Sequence, residues 1–415
     1  RTGQMLCYET GQFMCSQHRL QGPLALKHLT ATLVCCTGLA VATPGHGWQS
    51  RPSSCPRAPE QSVPVGSVTG IQDRAPPCRI EFRETGIRLE ATADGSRPDP
   101  GMTVVVDSNG RFFTSDAPGW RAIISVWDSR GAYLSHFGGE GEGPGELSAR
   151  GGVRLFIDNR DNLHVRDGSY GWSVFSPEQE FLRRVASNMM GGLPWRTVIL
   201  DDGSALASDG LVSEGHYFRV TDSAGALART FGPVGDRSSG SRGRPISHAG
   251  GDTFWAGPGQ LGSDAYVMEE WGIDGTLRRA LRRDVSWYQW DGAEEHAPRV
   301  TQIHITRGGL LYAVVWRPTD EYVRERARVA RSGGAVDFRE LEEQEERMDE
   351  LTELVLEVID TRSGRLLASD TYRTSDLREI LPWGLFRGSL QGYRYKENEG
   401  GLPFVEIVTL ELVAR

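Results

Sequence analysis

No run in this 415-residue chain is apolar for long enough to span a membrane. Clustered Lys and Arg are also missing, and the formal net charge is −9. Contacts to phosphate backbones need a basic stripe, so nucleic acid is excluded as a partner. No G-x-S-x-G nucleophile elbow occurs. The Gly138–Gly145 run is not followed by a helix or by Lys-Ser/Thr, which excludes a phosphate loop. A catalytic zinc site needs about three converging protein ligands. The His/acid cluster consists of His296 and His304, eight residues apart, with Glu294 and Glu295. His164 and His216 could join it only from elsewhere in the fold. The expectation is no metal and no cofactor.

Cysteine is scarce, at six residues, and Cys7, Cys15, Cys35 and Cys36 all precede a small-residue cleavage motif at Ala40-Val41-Ala42. The apolar segment 29–42, with Arg19 and Lys27 ahead of it, reads as a signal peptide. Met14 is the expected start, so 1–42 is taken as signal peptide plus upstream extension. A lipoprotein anchor at Cys35 or Cys36 is the alternative. The mature chain is expected outside the cytoplasm, secreted or periplasmic, with no transmembrane segment. It keeps Cys55 and Cys78, an even pair suited to an oxidising compartment. Their bridge would close 22 intervening residues and contribute roughly 3 kcal/mol; two free thiols are the alternative. Residues 43–78, rich in Pro, Ser, Gly and Arg, read as a disordered linker.

What the sequence does have is glycine, 51 residues of it, and internal repetition. Short alternating runs such as 104–106, 112–116 and 125–127 are joined by Asp-x-x-Gly turns, and the pattern returns along the chain. Trp127, Phe175, Thr221, Trp271, Ile359 and Ile407 take equivalent places, spaced 48, 46, 50, 88 and 48. Two hairpins per unit at that period make a propeller blade, and no blade can bury both faces alone. The expected fold is all-β: a six-bladed β-propeller of four-stranded antiparallel blades over 79–415. The 88-residue interval holds a charged, helix-forming insertion at 317–352 in blade five; seven blades is the alternative. The last unit lacks one strand, and Arg79–Glu90 alternates suitably to supply it and close the ring. The recurring Asp107, Asp116, Asp158, Asp167, Asp209, Asp222 and Asp360 are read as turn caps.

The stretch Phe137-Gly-Gly-Glu-Gly-Glu-Gly-Pro-Gly-Glu-Leu147, followed by Val153 and Ile157-Asp158, resembles an NHL-type repeat junction. The resemblance is to bacterial six-bladed propeller proteins of unknown function and covers roughly 79–415. It implies the fold, while NHL-like rings serve as binding platforms and, in distant relatives, as lyases or lactonases.

In such a ring the b–c loops and the blade-to-blade loops share one face. They carry Trp120, Arg121, Tyr170, Trp195, Arg196, Trp287, Tyr288, Trp290, His296, Trp316 and Arg317. Aromatic and guanidinium groups together suit stacking and forked hydrogen bonds. The expected function is therefore a binding module, monomeric, for a carbohydrate, peptide or protein ligand. The alternative is a propeller-type lyase or hydrolase with its site over the central channel. Each Trp has a plainer reading as a wedge packed between blades.

Overall fold

Alternation and turn chemistry produce twenty-five strands, β1 to β25, among the described residues of the computed structural model. It describes residues 55, 66–71, 75–90, 103–115, 122–148, 153–167, 171–186, 196–208, 216–234, 243–259, 265–288, 297–332, 347, 350–377, 380–381 and 391–415. The expected signal peptide and most of the expected linker lie outside the described residues, all of which belong to one compact unit, Gly47–Arg415.

Six antiparallel sheets follow one another along the chain. Blade one holds β3 (Val104–Val106), β4 (Phe112–Ser115), β5 (Ile123–Trp127) and β6 (Tyr133–Gly138); blade two holds β7 (Arg154–Ile157), β8 (Leu163–Arg166), β9 (Gly171–Phe175) and β10 (Phe181–Ala186). Blade three is β11 (Thr197–Ile199) to β14 (Leu227–Val234), and blade four is β15 (Ile246–Ser247), β16 (Thr253–Ala256), β17 (Tyr266–Gly272) and β18 (Leu277–Arg283). Blade five is β19 (Arg299–Ile305), β20 (Leu310–Pro318), β21 (Thr352–Asp360) and β22 (Arg365–Arg373). Blade six takes β23 (Ile380–Leu381), β24 (Gln391–Glu397) and β25 (Pro403–Ala414) from the end of the chain, and β2 (Cys78–Glu90) from its beginning. The closing strand is thus the one its alternation indicated, paired from Cys78↔Ala414 to Glu90↔Phe404.

What holds the ring is apolar surface buried between blades. The described residues form six hydrophobic clusters, and each lies on one junction. Phe113 and Ile124 of blade one meet Leu155 and Phe175 of blade two, and Val405 and Ile407 of blade six meet Val104 and Trp127 of blade one. Burying one such side chain contributes about 1.5–3 kcal/mol, so a blade stripped of its neighbour loses most of its stabilisation. Strand β2 serves two junctions: Ile80 faces blade five, while Ile87 and Leu89, beyond a register shift between Glu84 and Arg88, face blade one.

The first strands of successive blades touch in the order β3, β7, β11, β15, β19 and so line the axis. The a–b and c–d turns emerge on one face, which we call the turn face, and the remaining connections on the other, the loop face. On the turn face the expected Asp caps are in place. Asp107, Asp158 and Asp222 each accept hydrogen bonds from the backbone N–H groups two and four residues on, at 2.8–2.9 Å, and Asp360 accepts from Arg362 N at 3.3 Å. Asp167 instead ties Ser148 N and Arg184 across the loop face. Asp116 and Asp209 lie outside the described residues.

Two findings depart from the linker expected over 43–78. Ser67–Gly70 forms β1, a fifth strand laid parallel on the outer edge of β18, and Ile71 is buried in the junction of blades four and five. Four residues paired through backbone alone leave no alternating signature to read. Cys55 and Cys78 form a disulfide, both buried in the blade five–six junction. The N-terminal segment therefore attaches to blade four through β1 and to blade six through β2. Between these two sites, the blade five turn at Gly364 packs against Thr69.

Within blade five, Pro318 pairs with Thr352, and the insertion runs between them. It begins with α1 (Asp320–Ser332), whose start is fixed by Thr319: its hydroxyl accepts from Tyr322 N at 3.2 Å and donates to Leu351 O at 2.6 Å. A shorter helix, α2 (Thr374–Leu377), follows β22.

Candidate functional site

The loop-face mouth of the axis is framed by the heads of the inner strands, and arginine stands at four of them. Arg154 opens β7, Arg196 directly precedes β11, Arg244 lies two residues ahead of β15, and Arg299 opens β19. The described parts of the six inner strands contain no Asp or Glu.

These arginines have different surroundings. Arg244 is buried; it reaches Glu269 at 2.6 Å, donates to Gly257 O at 2.6 Å and lies over the Phe218 ring. Arg299 stacks 4.3 Å from the Trp316 ring centroid. Arg154 stands directly across from Arg166 in the β7–β8 pairing, so two cations share one sheet face. Burial and then the Arg166 charge bring Arg154 down to about 10, against the raising effect of Tyr393. Burial likewise lowers Arg166, while Asp167 opposes it. Tyr393 belongs to blade six and Arg154 to blade two, so this interaction joins two blades that are not neighbours.

At the rim, blade five carries an aromatic–guanidinium stack on each face. Toward blade four, Arg317 lies 5.7 Å from the Trp287 ring and donates from Nε to Glu353 at 2.8 Å. Toward blade six, Trp316 meets Arg299 and, edge on, Tyr322 of α1 at 5.5 Å. Beneath them the buried Arg283–Glu357 ion pair crosses the junction of blades four and five beside Tyr266. Burial of Tyr266 and Tyr288 drives both hydroxyls well above the usual phenol range.

Among the described residues His164, His216 and His304 do not converge. His164 Nε2 lies 3.2 Å from Asp158, and His216 Nδ1 lies 2.7 Å from Gly232 O. His304 is pushed down to about 4 by burial. Among the described residues no group of three His, Cys, Asp or Glu could hold a metal ion.

Of the residues chosen from sequence, Trp287, Tyr288, Trp316, Arg317 and Arg196 are on the loop face or its rim. Trp287 with Arg317 and Trp316 with Arg299 form the two stacks described above. Trp287 also packs against the blade four–five cluster and Trp316 against the blade five–six cluster, so each is partly a wedge. Trp120, Arg121, Tyr170, Trp195, Trp290 and His296 lie outside the described residues. Sequence reading passed over Arg154, Arg166, Arg244 and Arg299. The signal available was an arginine recurring at the head of the first strand of blades two to five.

No protein-family model matches the sequence, and no curated protein matches it. Among solved structures, the chain is similar to a protein of Bacteroides fragilis described as exported, at 12% identity and TM-score 0.50, over 83% of this chain and 99% of that one. It also overlaps virginiamycin B lyase of Staphylococcus aureus at 11% identity and TM-score 0.41, over 80% of this chain and 99% of that one. At 12% identity the likeness to the exported protein is one of fold alone, a propeller. Among the described residues no helix is long and apolar enough to cross a membrane.

Proposed function

We propose that the chain is an extracytoplasmic binding module that takes its ligand on the loop face, over the channel mouth. The observation that carries this reading is the paired stacks Trp287–Arg317 and Trp316–Arg299, set beside inner-strand arginines on the face with the longer connections. Such groups hold ligands by ring stacking and forked hydrogen bonds. Among the described residues, His164 and His216 are engaged by Asp158 and Gly232 and His304 is sealed by burial, which favours binding over catalysis. Export rests on the segment 29–42, the Ala40-Val41-Ala42 motif and the Cys55–Cys78 disulfide, which suits an oxidising compartment.

The test is a screen of immobilised oligosaccharides and peptides with the full chain and with the Trp287→Ala/Arg317→Ala double variant. A ligand held by the wild type and weakened about tenfold or more in the variant, roughly 1.4 kcal/mol, supports the reading. Equal retention by both proteins, or none by either, defeats it.

A further inference from the structure

The two stacks on blade five stand on consecutive residues of one strand. Successive side chains of a strand point to opposite faces of its sheet, so Trp316 is directed at blade six and Arg317 at blade four. A ligand that touched both stacks would have to cross the loop-face end of blade five. The insertion rises from that end. Its base is the Pro318–Thr352 pair, the next step of the β20–β21 ladder after Arg317–Glu353. The base is tied down at several points. Thr319 donates to Leu351 O from N at 3.2 Å and from Oγ1 at 2.6 Å, which closes the two arms on each other. Thr352 Oγ1 donates to Thr374 Oγ1 at 2.7 Å, which ties the returning arm to the first residue of α2. Thr319 also caps α1 by accepting from Tyr322 N, so the direction in which the helix leaves is set. Further out, Glu325 of α1 meets Arg328 at 2.7 Å and Arg347, from beyond the helix, at 3.8 Å. So placed, the Tyr322 ring stands edge-on against Trp316, on the blade-six side. The ring and ion contacts of Trp287 and Arg317 with other residues come from Tyr266, Arg283, Tyr288 and Glu353, and among the described residues none comes from α1.

We infer that the insertion is a specificity element of the loop face. With Tyr322 it roofs the Trp316–Arg299 stack, and with its base it divides that stack from Trp287–Arg317. The ligand is then taken as a short unit, or by the end of a longer one, at the blade four–five stack. The inference rests on the loop-face binding reading and adds the length of ligand that the face accepts. Discrimination of this kind comes from blocking the wrong ligand, not from a new attractive contact. An extended chain laid along the face meets the base and α1, whereas a single unit beside Trp287 does not.

The test uses the whole chain on immobilised oligosaccharides and peptides graded in length from single units upward. Wild type should retain short members as firmly as long ones. Replacing 320–350 by a Gly/Ser link should tighten the long members about tenfold or more relative to the short. Tyr322→Ala should act in the same sense by a smaller factor, and adding Trp316→Ala to the Gly/Ser chain should cancel its gain. Arg328→Gln, exposed on the same helix, should bind as wild type does. Three results would each overturn the inference. The first is a wild type that already prefers long members. The second is an unchanged length profile in the Gly/Ser chain, or in Tyr322→Ala should that chain fail to fold. The third is loss of binding at every length in the folded variant. If the profile is unchanged while Trp287→Ala/Arg317→Ala still weakens the short members, the inference fails and the binding module stands. If neither wild type nor any variant retains a member, both fail.

Discussion

The two faces of this ring are built on opposite principles. On the turn face, the five-residue links that begin at Asp107, Asp128, Asp158, Ser176 and Asp222 repeat one hydrogen-bonded design, with the side chain at the first position capping two backbone N–H groups. Neighbouring turns also bond to one another: Ser108 N donates to Asp161 at 3.0 Å, and Gly251 N to Asp201 at 3.0 Å. On the loop face, connections range from the four residues 167–170 to the thirty-three residues 319–351, among the described links only 398–402 shares the capped design, through Asn398, and each blade contributes a different set of Arg, Trp and Tyr. Uniformity on one side lets the blades stack in register. Variety on the other is tolerated because loop length adds little closure entropy. Stability is thus assigned to the junctions and the turn face, and the proposed recognition to the loop face.

The comparison breaks first if the ring survives without its closing strand. Deleting 79–90 removes Ile80, Ile87 and Leu89 from two junctions, and the cooperative thermal transition seen by circular dichroism should disappear. Next, two glycines separate the faces. Gly225, in a turn-face link at φ +93°, would drive a Cβ into the Ala186 carbonyl of the preceding blade; Gly401, on the loop face at φ +71°, has nothing within 4 Å. Gly225→Ala should cost about 3 kcal/mol or more in urea unfolding, and Gly401→Ala about 1 kcal/mol.

A pH series sharpens the turn-face side. Burial raises Asp158, but hydrogen bonds from His164, Asn162 and Arg160 outweigh it and bring the carboxyl to about 2. A carboxyl depressed in the folded state stabilises fully above its unfolded value. That contribution, about 2 kcal/mol, is lost as pH falls from about 4 toward 2. Asp158→Asn should flatten this acid limb of the stability curve. The smallest effect belongs to the loop face: replacing 320–350 by a short Gly/Ser link should move the thermal midpoint by only a few degrees. A collapse there would mean that the insertion is part of the core.

Much of the fold was legible because blade chemistry is local and repeated. Equivalent positions such as Trp127 and Trp271, the Asp-x-x-Gly turns and the missing last strand are all written along the chain. The site was only partly legible. Trp287, Trp316 and Arg317 announced themselves by residue type, but their partners Arg299, Glu353 and Tyr322 come from separate segments. Arg154 and Arg166 look like ordinary surface residues until the β7–β8 register sets them face to face.

By itself, then, the sequence determined the number of blades, the strand that closes the ring and the caps of its turns, because each depends on residues near one another or on a period. The tertiary structure alone decided that β1 lies on blade four, that Cys55 and Cys78 meet between blades five and six, and that arginines collect at one end of the axis. Those outcomes depend on the stacking of blades, which joins residues far apart in the chain through buried apolar surface that no single blade supplies.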